Sequence, residues 1–576
     1  MAELSSGAPA PATRFLSLVL AASLASGPLG AADPPKGQAP AGSFKQSFDL
    51  SVTNLDVIVT DSKGNRVTGL TKNDFVVVED GMDQLITNFF AVDGGRVVFL
   101  GDEPVPPPPP NAKPEEIEAA TPMPLPKTRL IIFVDSLHSA PFNRNRVLRN
   151  VEEWVRTTVK GDVEGMVVTW NRSLKTRQKF TTEGRQLSDV LKQLEEESAL
   201  GTQRLSERRD VIDYIDQDST SPEMAASRVR SYAQSLNNDL QFTFDALKST
   251  IQQLSGVEGR KMLLHVSDGL PQAPGQELWR YIQDRHNNSA SFMGMGFEFD
   301  KTASYMGIVR EANAAGVSLY FFDASGLSVD SGVSAENRTQ KARIDTFVER
   351  NNEQSMLQLM AEETGGLAIL NRNDISLPLK EVEKDFTSYY SIGYRSLRSG
   401  ADRPHKVEVK AKKKGLVVRA RRSYVEKSAD TKIAEAVTSA LFFPKEDNPL
   451  GAAIETGTPA ASDRDHYVVP VKIRVPYSRI TLLPEGEKSR GRLMFYFAVL
   501  DSNGKQSDLA TQALPVEVET SRLPALSRYD FVYDVKLLMV PGGQRLSVAV
   551  RDEITNTVSY VQKQVFVSAL GEGGRR

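Results

Sequence analysis

The sequence predicts an α/β domain with a doubly wound parallel sheet, flanked by β-sandwich segments and followed by an immunoglobulin-like all-β domain. Between residues 127 and 385, apolar runs too short for helices alternate with segments of helical periodicity, which is typical of a parallel sheet. The segments on either side alternate apolar and polar residues, as half-buried strands do. Residues 464–570 contain short strands separated by regular turn signals.

Composition limits the class of protein. The chain has 576 residues, of which 40% are hydrophobic and 25% charged, and this is typical of about three or four soluble domains. Lys and Arg number 70 and Asp and Glu 73, so the formal net charge of -3 gives no reason to expect a nucleic-acid partner. The count of 0 cysteines excludes disulfides, thiolate zinc sites and cysteine nucleophiles.

Residues 1–32 are predicted to be a secretory signal peptide. Arg14 precedes an apolar segment from Phe15 to Ala25, and a small-residue cleavage site follows at Gly30–Ala32. The alternative is an uncleaved anchor, although the apolar segment is short for a membrane span. No later segment is long and apolar enough to be a transmembrane helix, so we expect no span after signal removal. The chain is therefore predicted to be secreted or periplasmic, with a disordered leader over residues 33–43.

A β segment and a linker come next. Residues 44–98 contain short strands, such as the run around Val57 and Val59, and turns such as Asp61–Asn65. Residues 99–126 include five consecutive prolines, which predicts a stiff, extended linker. A motif for a proline-recognising partner is the alternative.

The α/β domain is predicted over residues 127–385. Its strands are the apolar runs Leu130–Val134, Met166–Thr169, Lys261–Val266, Val317–Phe322 and Leu367–Leu370. Helices are predicted between them, the first over Asn145–Val159. A polar helical insertion at residues 203–238 interrupts the alternation, and a lid, a partner surface and simple elaboration remain open as its role.

Aspartates end three of these strands. Asp135 follows the first, Asp268 the third and Asp323 the fourth. Because the carboxyl ends of parallel strands meet at one edge of a sheet, where ligands bind in α/β folds, these side chains are expected to converge. Carboxylate and hydroxyl oxygens suit a hard cation, so this edge is a candidate metal site. The alternative is that Asp135 caps the helix that follows it.

Eight segments of the chain together resemble a known family. In order, they are Leu55–Asp61, Gly69–Phe75, Glu79–Gly81, Ile131–Asp135, Gly259–Gly269, Ala315–Tyr320, Ala361–Gly366 and Tyr389–Tyr394. They resemble the von Willebrand factor A domain, and more closely a bacterial family of secreted proteins that carry a VWFA-related domain. The resemblance covers roughly residues 48–424, and the order and spacing of the segments make it specific.

The resemblance implies a metal-ion-dependent adhesion site. In the wider family this site uses an Asp-x-Ser-x-Ser motif, a Thr on a later loop and a further Asp, and here Asp135, Ser139, Thr202 and Asp268 match those places. Leu137 replaces the middle serine and offers no oxygen to Mg²⁺, Mn²⁺ or Ca²⁺. The site is therefore expected to bind metal weakly or not at all. Where a cation does bind, its open position would accept an acidic side chain of a partner.

The chain returns to β structure after the α/β domain. Residues 386–426 are predicted to form a β-hairpin segment that pairs with residues 44–98. Basic residues between Lys410 and Arg422 are interpreted as protection of an exposed edge strand, and the alternative is a grip on an acidic polymer.

The last part of the chain is predicted to be a linker and a sandwich. Residues 427–463 are interpreted as a linker with a short helix, and residues 464–570 as an immunoglobulin-like sandwich. The six strands predicted in it are Tyr467–Val475, Arg492–Leu500, Leu514–Glu519, Phe531–Met539, Leu546–Arg551 and Val558–Val567.

No catalytic signature is evident, and the 5 histidines are scattered, so the chain is not expected to be an enzyme. We expect a secreted or periplasmic protein-binding or adhesion module with a degenerate metal site, which engages a protein or another component of the cell envelope. The first alternative is a metal-free structural scaffold of an envelope complex. The second is a hydrolase that uses Asp135, Asp268 and His138.

Overall fold

The structure is a computed structural model that describes residues 52–101, 103–105, 125–286, 292, 294–327, 346–396, 402–463 and 465–568. The signal peptide, the leader and most of the proline-rich linker predicted from the sequence lie outside these residues. The described chain falls into two compact units, divided between Ser428 and Ala429. No helix in the described part of the chain is long and apolar enough to cross a membrane.

The first unit contains the α/β domain and the β segments on either side of it. Its strands are β1 (Val52–Asp61), β2 (Phe75–Glu79), β3 (Met82–Gln84), β4 (Ile86–Asp93), β5 (Arg96–Leu100), β6 (Glu103–Pro104), β7 (Thr128–Asp135), β8 (Val163–Trp170), β9 (Leu174–Thr181), β10 (Arg260–Ser267), β11 (Val317–Asp323), β12 (Ala368–Ile369), β13 (Tyr389–Arg395), β14 (Pro404–Ala411), β15 (Leu416–Arg419) and β16 (Ser423–Val425). Its helices are α1 (Pro141–Thr158), α2 (Gly184–Glu195), α3 (Gly201–Asp216), α4 (Pro222–Gln253), α5 (Gln276–His286), α6 (Thr302–Ala315), α7 (Thr346–Glu363) and α8 (Ser376–Thr387).

Strands β7 to β12 form the sheet of the α/β domain in the order β12-β11-β10-β7-β8-β9. Every neighbouring pair is parallel except β8 and β9, which pair antiparallel at one edge. The parallel sheet predicted from the sequence is therefore confirmed. Strand β9 is absent from the prediction because its sequence is mostly polar, which an exposed edge strand tolerates.

Helices cover both faces of this sheet. On one face, Ile132 shares a core with Val151 of α1. On the other face, the indole N–H of Trp170 donates a hydrogen bond to the hydroxyl of Thr243 in α4, at 2.9 Å. Successive residues of a strand point to opposite faces, so a strand covered on both sides is apolar throughout. This explains the continuous apolar run Leu130–Val134 in β7.

The segment predicted as an insertion, residues 203–238, does not form a separate element. Its second half belongs to α4, a single helix of 32 residues that continues past Asn238. The hydroxyl of Ser221 accepts a hydrogen bond from the backbone N–H of Met224, which caps this helix, and Pro222 occupies its first turn. Residue 238, the expected end of the insertion, falls inside this continuous helix, and the insertion itself stays a prediction.

The β segments before and after the α/β domain pair with each other. Strand β1 lies antiparallel to β13 and β15, and β2 lies antiparallel to β14. The two resulting sheets have the orders β15-β1-β13-β4-β5-β6 and β16-β14-β2-β3. Val57 and Val407 lie in different sheets, yet both are buried in one shared core. The α/β domain is thus inserted between the two halves of a β-sandwich.

A buried carboxylate fastens the sandwich to the α/β domain. Asp385 of α8 is fully buried, and its two oxygens accept hydrogen bonds from Nη2 of Arg419 at 2.7 and 2.8 Å. The hydroxyl of Tyr320 in β11 donates to the same carboxylate at 2.7 Å, and Arg66, which follows β1, forms an ion pair with it. The carboxylate of Asp385 therefore joins four segments of the unit, namely α8, β11, β15 and the residues that follow β1.

The second unit is a β-sandwich with a helix packed on it. Its elements are α9 (Ala429–Ala440), β17 (Ala453–Thr456), β18 (Ala460–Ala461), β19 (Tyr467–Pro476), β20 (Leu483–Glu485), β21 (Lys488–Leu500), β22 (Ala510–Glu519), α10 (Leu523–Leu526), β23 (Asp530–Met539), β24 (Gly542–Asp552) and β25 (Val558–Val567). Its two antiparallel sheets share a core that includes Val469, Phe495 and Val548. An immunoglobulin-like strand order in this unit stays a prediction.

Residues 427–463, predicted to be a linker with a short helix, contain a helix and a strand that are part of the second unit. Val437 of α9 is buried against Tyr496 and Ala549, so the helix belongs to the second unit. Strand β17 also pairs with β19 of that unit.

Candidate functional site

The loops after β7 and β10 meet at the carboxyl edge of the α/β sheet, as the strand-end aspartates predict. The backbone N–H of Asp268 donates to the carbonyl oxygen of His138 at 2.8 Å. The backbone N–H of Ala140 donates in return to Oδ2 of Asp268 at 2.7 Å. These two bonds bring the segment Asp135–Ser139 next to Asp268. Thr202 lies one residue into α3, and its side chain is exposed.

Helix α3 packs against the Asp135–Ser139 segment through a glycine. The backbone N–H of Gly201 donates to the carbonyl oxygen of Ser139 at 3.0 Å. A Cβ atom at Gly201 would lie 2.5 Å from that same carbonyl oxygen, which is far inside van der Waals contact. The close approach of the two segments therefore depends on the missing side chain.

The carboxylate of Asp135 is enclosed by donors from the protein itself. Its Oδ1 accepts hydrogen bonds from the backbone N–H groups of Leu137 at 3.0 Å and His138 at 2.9 Å. Its Oδ2 lies 3.0 Å from Nδ1 of His138 and 3.5 Å from Nε2 of His265. Asp135, His138 and His265 are all almost completely buried. The first three of these contacts are hydrogen bonds, so protein groups bond to both oxygens of the carboxylate.

The electrostatics of this cluster favour the ionised form of Asp135. Burial works to raise the pKa of Asp135, but the charge and hydrogen bonds of His138 and His265 lower it well below its usual range. Burial lowers the pKa of His138. Nδ1 of His138 also lies 3.3 Å from the hydroxyl of Thr243 in α4, so the network extends from the sheet to a covering helix.

The arrangement around Asp135 does not fit a bound divalent cation. Leu137 is buried and supplies no oxygen, and the hydroxyl of Ser139 donates to the backbone carbonyl of Asp135 at 2.6 Å. The imidazole of His138 is bonded to Oδ2 of the carboxylate, at 3.0 Å. Mg²⁺ needs near-octahedral oxygen coordination, which these groups do not present. The metal ligands inferred from the family resemblance remain a prediction.

Asp268 has a different environment from Asp135. Its Oδ2 accepts hydrogen bonds from the backbone N–H of Ala140 and from Nδ2 of Asn143, at 2.7 and 3.1 Å. Its Oδ1 is buried and has no hydrogen-bond partner among the described residues. Burial raises the pKa of Asp268 to about 6, and the charge of Asp323 adds to the increase. Asp268 is thus the less satisfied of the two carboxylates.

A buried arginine that the sequence reading misses organises the same edge. Arg144 of α1 is fully buried, and its Nη2 donates to the carbonyl oxygens of Leu194 and Glu197, both at 2.7 Å. Its Nη1 donates to the hydroxyl of Ser136 at 3.1 Å. The guanidinium therefore ties the loop after β7 to the segment that leads into α3. The only signal in the sequence is an arginine among helix residues, which resembles any surface arginine.

A polar pocket of about 100 Å³ opens beside Asp268. Its charged lining residues are Arg204, Arg208, Asp268, Glu277, Glu349 and Glu353. Arg208 lies 2.6 Å from a carboxylate oxygen of Glu349 and 3.5 Å from one of Glu277. Burial raises the pKa of Glu353, and the neighbouring charges of Glu349 and Glu277 raise it further. The pocket therefore combines cationic and acidic side chains in one small volume.

Exposed apolar side chains lie along the carboxyl edge of the α/β sheet, and one of them, Leu205, lines the pocket. Phe142 lies in the first turn of α1, Leu205 in the first turn of α3, Phe347 in the first turn of α7 and Leu377 in the first turn of α8. Leu327 follows the carboxyl end of β11. Each of these four helices starts at the carboxyl edge of the sheet, and β11 ends there. Phe142 and Phe347 are both 78% exposed. Large apolar side chains are rarely concentrated in water without a partner.

The described residues do contain a group with the composition of a metal site, but it lies elsewhere. Glu79, Asp80 and His405 come together in the β-sandwich of the first unit. Nδ1 of His405 lies 2.8 Å from Oδ2 of Asp80 and 3.4 Å from Oε1 of Glu79. None of these residues belongs to the metal site predicted from the sequence.

Comparison with known proteins gives no family assignment. No family model matches the chain, and no match is found among curated proteins. Similar solved structures include an aerotolerance-related membrane protein from Bacteroides fragilis, with a TM-score of 0.22, 10% identity, and coverage of 45% of this chain and 98% of that one.

Two further matches cover more of the chain. The type V pili tip protein Mfa5 from Porphyromonas gingivalis gives a TM-score of 0.24 at 6% identity, over 90% of this chain and 77% of that one. The ArnB paralog VWA2 from Sulfolobus acidocaldarius gives a TM-score of 0.18 at 8% identity, over 89% and 74%. TM-scores of this size do not establish a shared fold. The resemblance to the von Willebrand factor A domain thus rests on the sequence segments and on the parallel sheet.

Proposed function

We propose that this chain is an exported binding module that engages a protein partner of the cell envelope through the carboxyl edge of its α/β sheet. The observation that carries the proposal is the presence of exposed apolar side chains, including Phe142 and Leu205, at the edge that holds the pocket lined by Leu205 and Arg208. Protein interfaces are enriched in aromatic residues and arginine. The carboxyl edge is also where ligands bind in α/β folds.

We propose that this binding does not require a cation at Asp135. The network of Asp135, His138 and His265 supports this version, because it holds the edge in place with protein donors alone. One observation favours the metal-dependent alternative. Oδ1 of Asp268 is buried without a hydrogen-bond partner among the described residues, and a cation would satisfy it. Adhesion through a weak metal site is therefore the second candidate.

We also propose that the edge is not catalytic. The hydroxyl of Ser136 accepts a hydrogen bond from Arg144, and the hydroxyl of Ser139 donates to a backbone carbonyl. Both serines are buried, so neither is presented to a substrate as a nucleophile. Nδ1 of His138 contacts the carboxylate of Asp135 at 3.0 Å and the hydroxyl of Thr243 at 3.3 Å, and Thr243 is itself fully buried, so its hydroxyl is not presented to a substrate.

Site-specific photo-crosslinking tests the proposed edge. A benzophenone amino acid is introduced at Phe142 or Phe347, and in a matched control at Phe566, an exposed phenylalanine of the second unit. The variants are produced in the cells that make the protein naturally and are irradiated there. We expect discrete adducts with one envelope protein from the two edge positions and none from Phe566. Equal adducts from all three positions, or none from the edge, would contradict the proposal.

The identified partner then allows an affinity measurement. Leu205→Ser removes an exposed apolar side chain from the edge, whereas Leu85→Ser removes an equally large one from the sandwich. We expect Leu205→Ser to weaken binding by about tenfold, since burial of a leucine contributes roughly 1.5–3 kcal/mol. Leu85→Ser should leave the affinity unchanged.

A further inference from the structure

A second cavity lies at the opposite edge of the α/β sheet. It has a volume of about 370 Å³ and is lined by the first residues of β10 and β11 together with residues of β1. These strand starts form the amino edge, so the cavity is separate from the pocket beside Asp268. Pockets that hold small molecules have volumes of about 300–1,000 Å³ and often lie where two structural parts meet. This cavity lies where the α/β domain meets the β-sandwich.

The walls of the cavity combine apolar surface with cationic groups. Its apolar lining includes Ile58, Phe90, Met262, Val317 and Tyr320. Its charged lining residues are Asp56, Arg260, Lys261 and Arg421, so positive groups outnumber negative ones by three to one. About half of the lining surface is apolar, and apolar contacts beside fixed polar groups are typical of sites for small organic ligands.

Arg260 is held in place while one of its N–H groups has no partner. Its Nε donates to Oδ2 of Asp56 at 2.7 Å, and its guanidinium lies over the ring of Tyr389, 3.6 Å from the centroid. The side chain is only 9% exposed. Nη1 is buried and makes no hydrogen bond to any described residue. A buried charged donor without an acceptor is costly, so it predicts a ligand or ordered water at that position.

Arg421 adds a second incompletely bonded guanidinium. Its Nη2 donates to the backbone carbonyl of Asn54, whereas its Nε is buried without a partner among the described residues. Burial lowers the pKa of Arg421, and the charge of Asp56 opposes that effect. Arg260 and Arg421 therefore both act on Asp56, whose carboxylate is the one negative side chain in the lining. A single carboxylate leaves the pair with excess positive charge.

We propose that this cavity binds a small organic carboxylate. The guanidinium groups of Arg260 and Arg421, each with an N–H group that has no partner among the described residues, would attract the carboxylate and donate charge-assisted hydrogen bonds to it. The apolar side chains would contact the organic part of the ligand. Inorganic phosphate shares the oxyanion chemistry but has no apolar part, so the walls favour a carboxylate over phosphate.

Calorimetric titration of the full chain tests the proposal. The ligands are sodium acetate, benzoate and succinate, with inorganic phosphate as the comparison, at constant ionic strength. We expect saturable binding of benzoate or succinate that is tighter than that of phosphate. Arg421→Met should weaken it at least tenfold, whereas Arg403→Met, at an exposed arginine, should leave it unchanged.

A second variant tests the cavity without changing either arginine, so that the proposal can be tested even if Arg421→Met disturbs the fold. Ser318→Trp keeps both arginines and fills the cavity that Ser318 lines. With the thermal transition of the chain retained, we expect this variant to abolish carboxylate binding. Three results would overturn the proposal: no saturable binding of any carboxylate at millimolar concentration, binding of phosphate alone, or binding that survives both Arg421→Met and Ser318→Trp.

Discussion

Nδ1 of His138 lies 3.0 Å from Oδ2 of Asp135, and both side chains are buried at the carboxyl edge of the α/β sheet. The histidine bonds to the one carboxylate oxygen of Asp135 that accepts no backbone hydrogen bond among the described residues. The aspartate that the sequence singles out as a metal ligand is thus part of a hydrogen-bonded network of the protein.

We expect His138→Ala to destabilise the α/β domain by about 1–3 kcal/mol, because it removes the side-chain hydrogen bond to Oδ2 of the buried carboxylate of Asp135. Asp135→Asn should cost less, since an amide can still accept the two backbone hydrogen bonds. The double variant should cost less than the sum of the two single changes. Lys175→Ala, at an exposed position of β9, is the control.

Urea unfolding followed by tryptophan fluorescence measures these effects. The 3 tryptophans, Trp154, Trp170 and Trp279, all lie in the α/β domain, so their signal reports on that domain. Strict additivity of the two single changes would show that His138 and Asp135 do not stabilise each other.

Gly201→Ala should destabilise the domain by about 1–3 kcal/mol, because the new methyl group would overlap the backbone of Ser139. The matched control is Gly294→Ala, where a Cβ atom meets nothing within 4 Å. Both variants are compared by the same unfolding measurement. Equal stability of the two variants would contradict the close packing of α3 on the Asp135–Ser139 segment.

Asp268 should make stability fall as pH rises. Its pKa is raised by burial from the ordinary 3.8 to about 6, so the folded state binds the proton more tightly than the unfolded state does. The folded state therefore loses stability between pH 3.8 and about 6, and the loss is complete above that. Relative to Asp268→Asn, the wild type should lose about 2 kcal/mol between about pH 4.5 and about pH 7.5.

The comparison of the wild type with Asp268→Asn cancels the contributions of other titrating groups. Unfolding is measured in the presence of a chelator, so that no cation affects the carboxylate. A difference between the two proteins that does not change with pH would mean that Asp268 titrates normally.

Asp385→Asn should cost about 3–5 kcal/mol, because Arg66 and Arg419 would lose the charge that they share. The exposed Asp213 provides the control, and Asp213→Asn should have no measurable effect. Limited proteolysis adds a second readout, since weakening of this joint should expose the connection between the α/β domain and the sandwich. Unchanged stability of Asp385→Asn would show that the joint depends on other contacts.

Local sequence signals predict the parallel strands of the α/β sheet and the meeting of its strand-end aspartates. They do not predict the antiparallel edge strand β9. The apolar run Leu130–Val134 is diagnostic because a strand covered on both faces must be apolar throughout. The convergence of Asp135 and Asp268 follows from the parallel order of the strands. The polar strand β9 escapes prediction because an edge strand lacks that apolar signal.

Other features depend on contacts that a single sequence does not display. His265 looks like an ordinary core residue of β10, and its approach to Asp135 depends on the pairing of β10 with β7. Phe142 and Phe347 look like core residues of amphipathic helices, and only the fold shows them to be exposed. Arg260 and Arg421 are far apart in the sequence, and the pairing of the two β segments brings both to one cavity.

The most direct test of the account is calorimetric titration of Mg²⁺ and Mn²⁺ into the wild-type chain, Asp135→Asn and Asp268→Asn. Because protein groups already bond to both carboxylate oxygens of Asp135, we predict no saturable binding that depends on Asp135 at millimolar cation. His405→Ala is included, so that binding at Glu79, Asp80 and His405 is recognised separately. Saturable binding that is lost in Asp135→Asn and in Asp268→Asn, but kept in His405→Ala, would contradict a metal-free edge and favour metal-dependent adhesion.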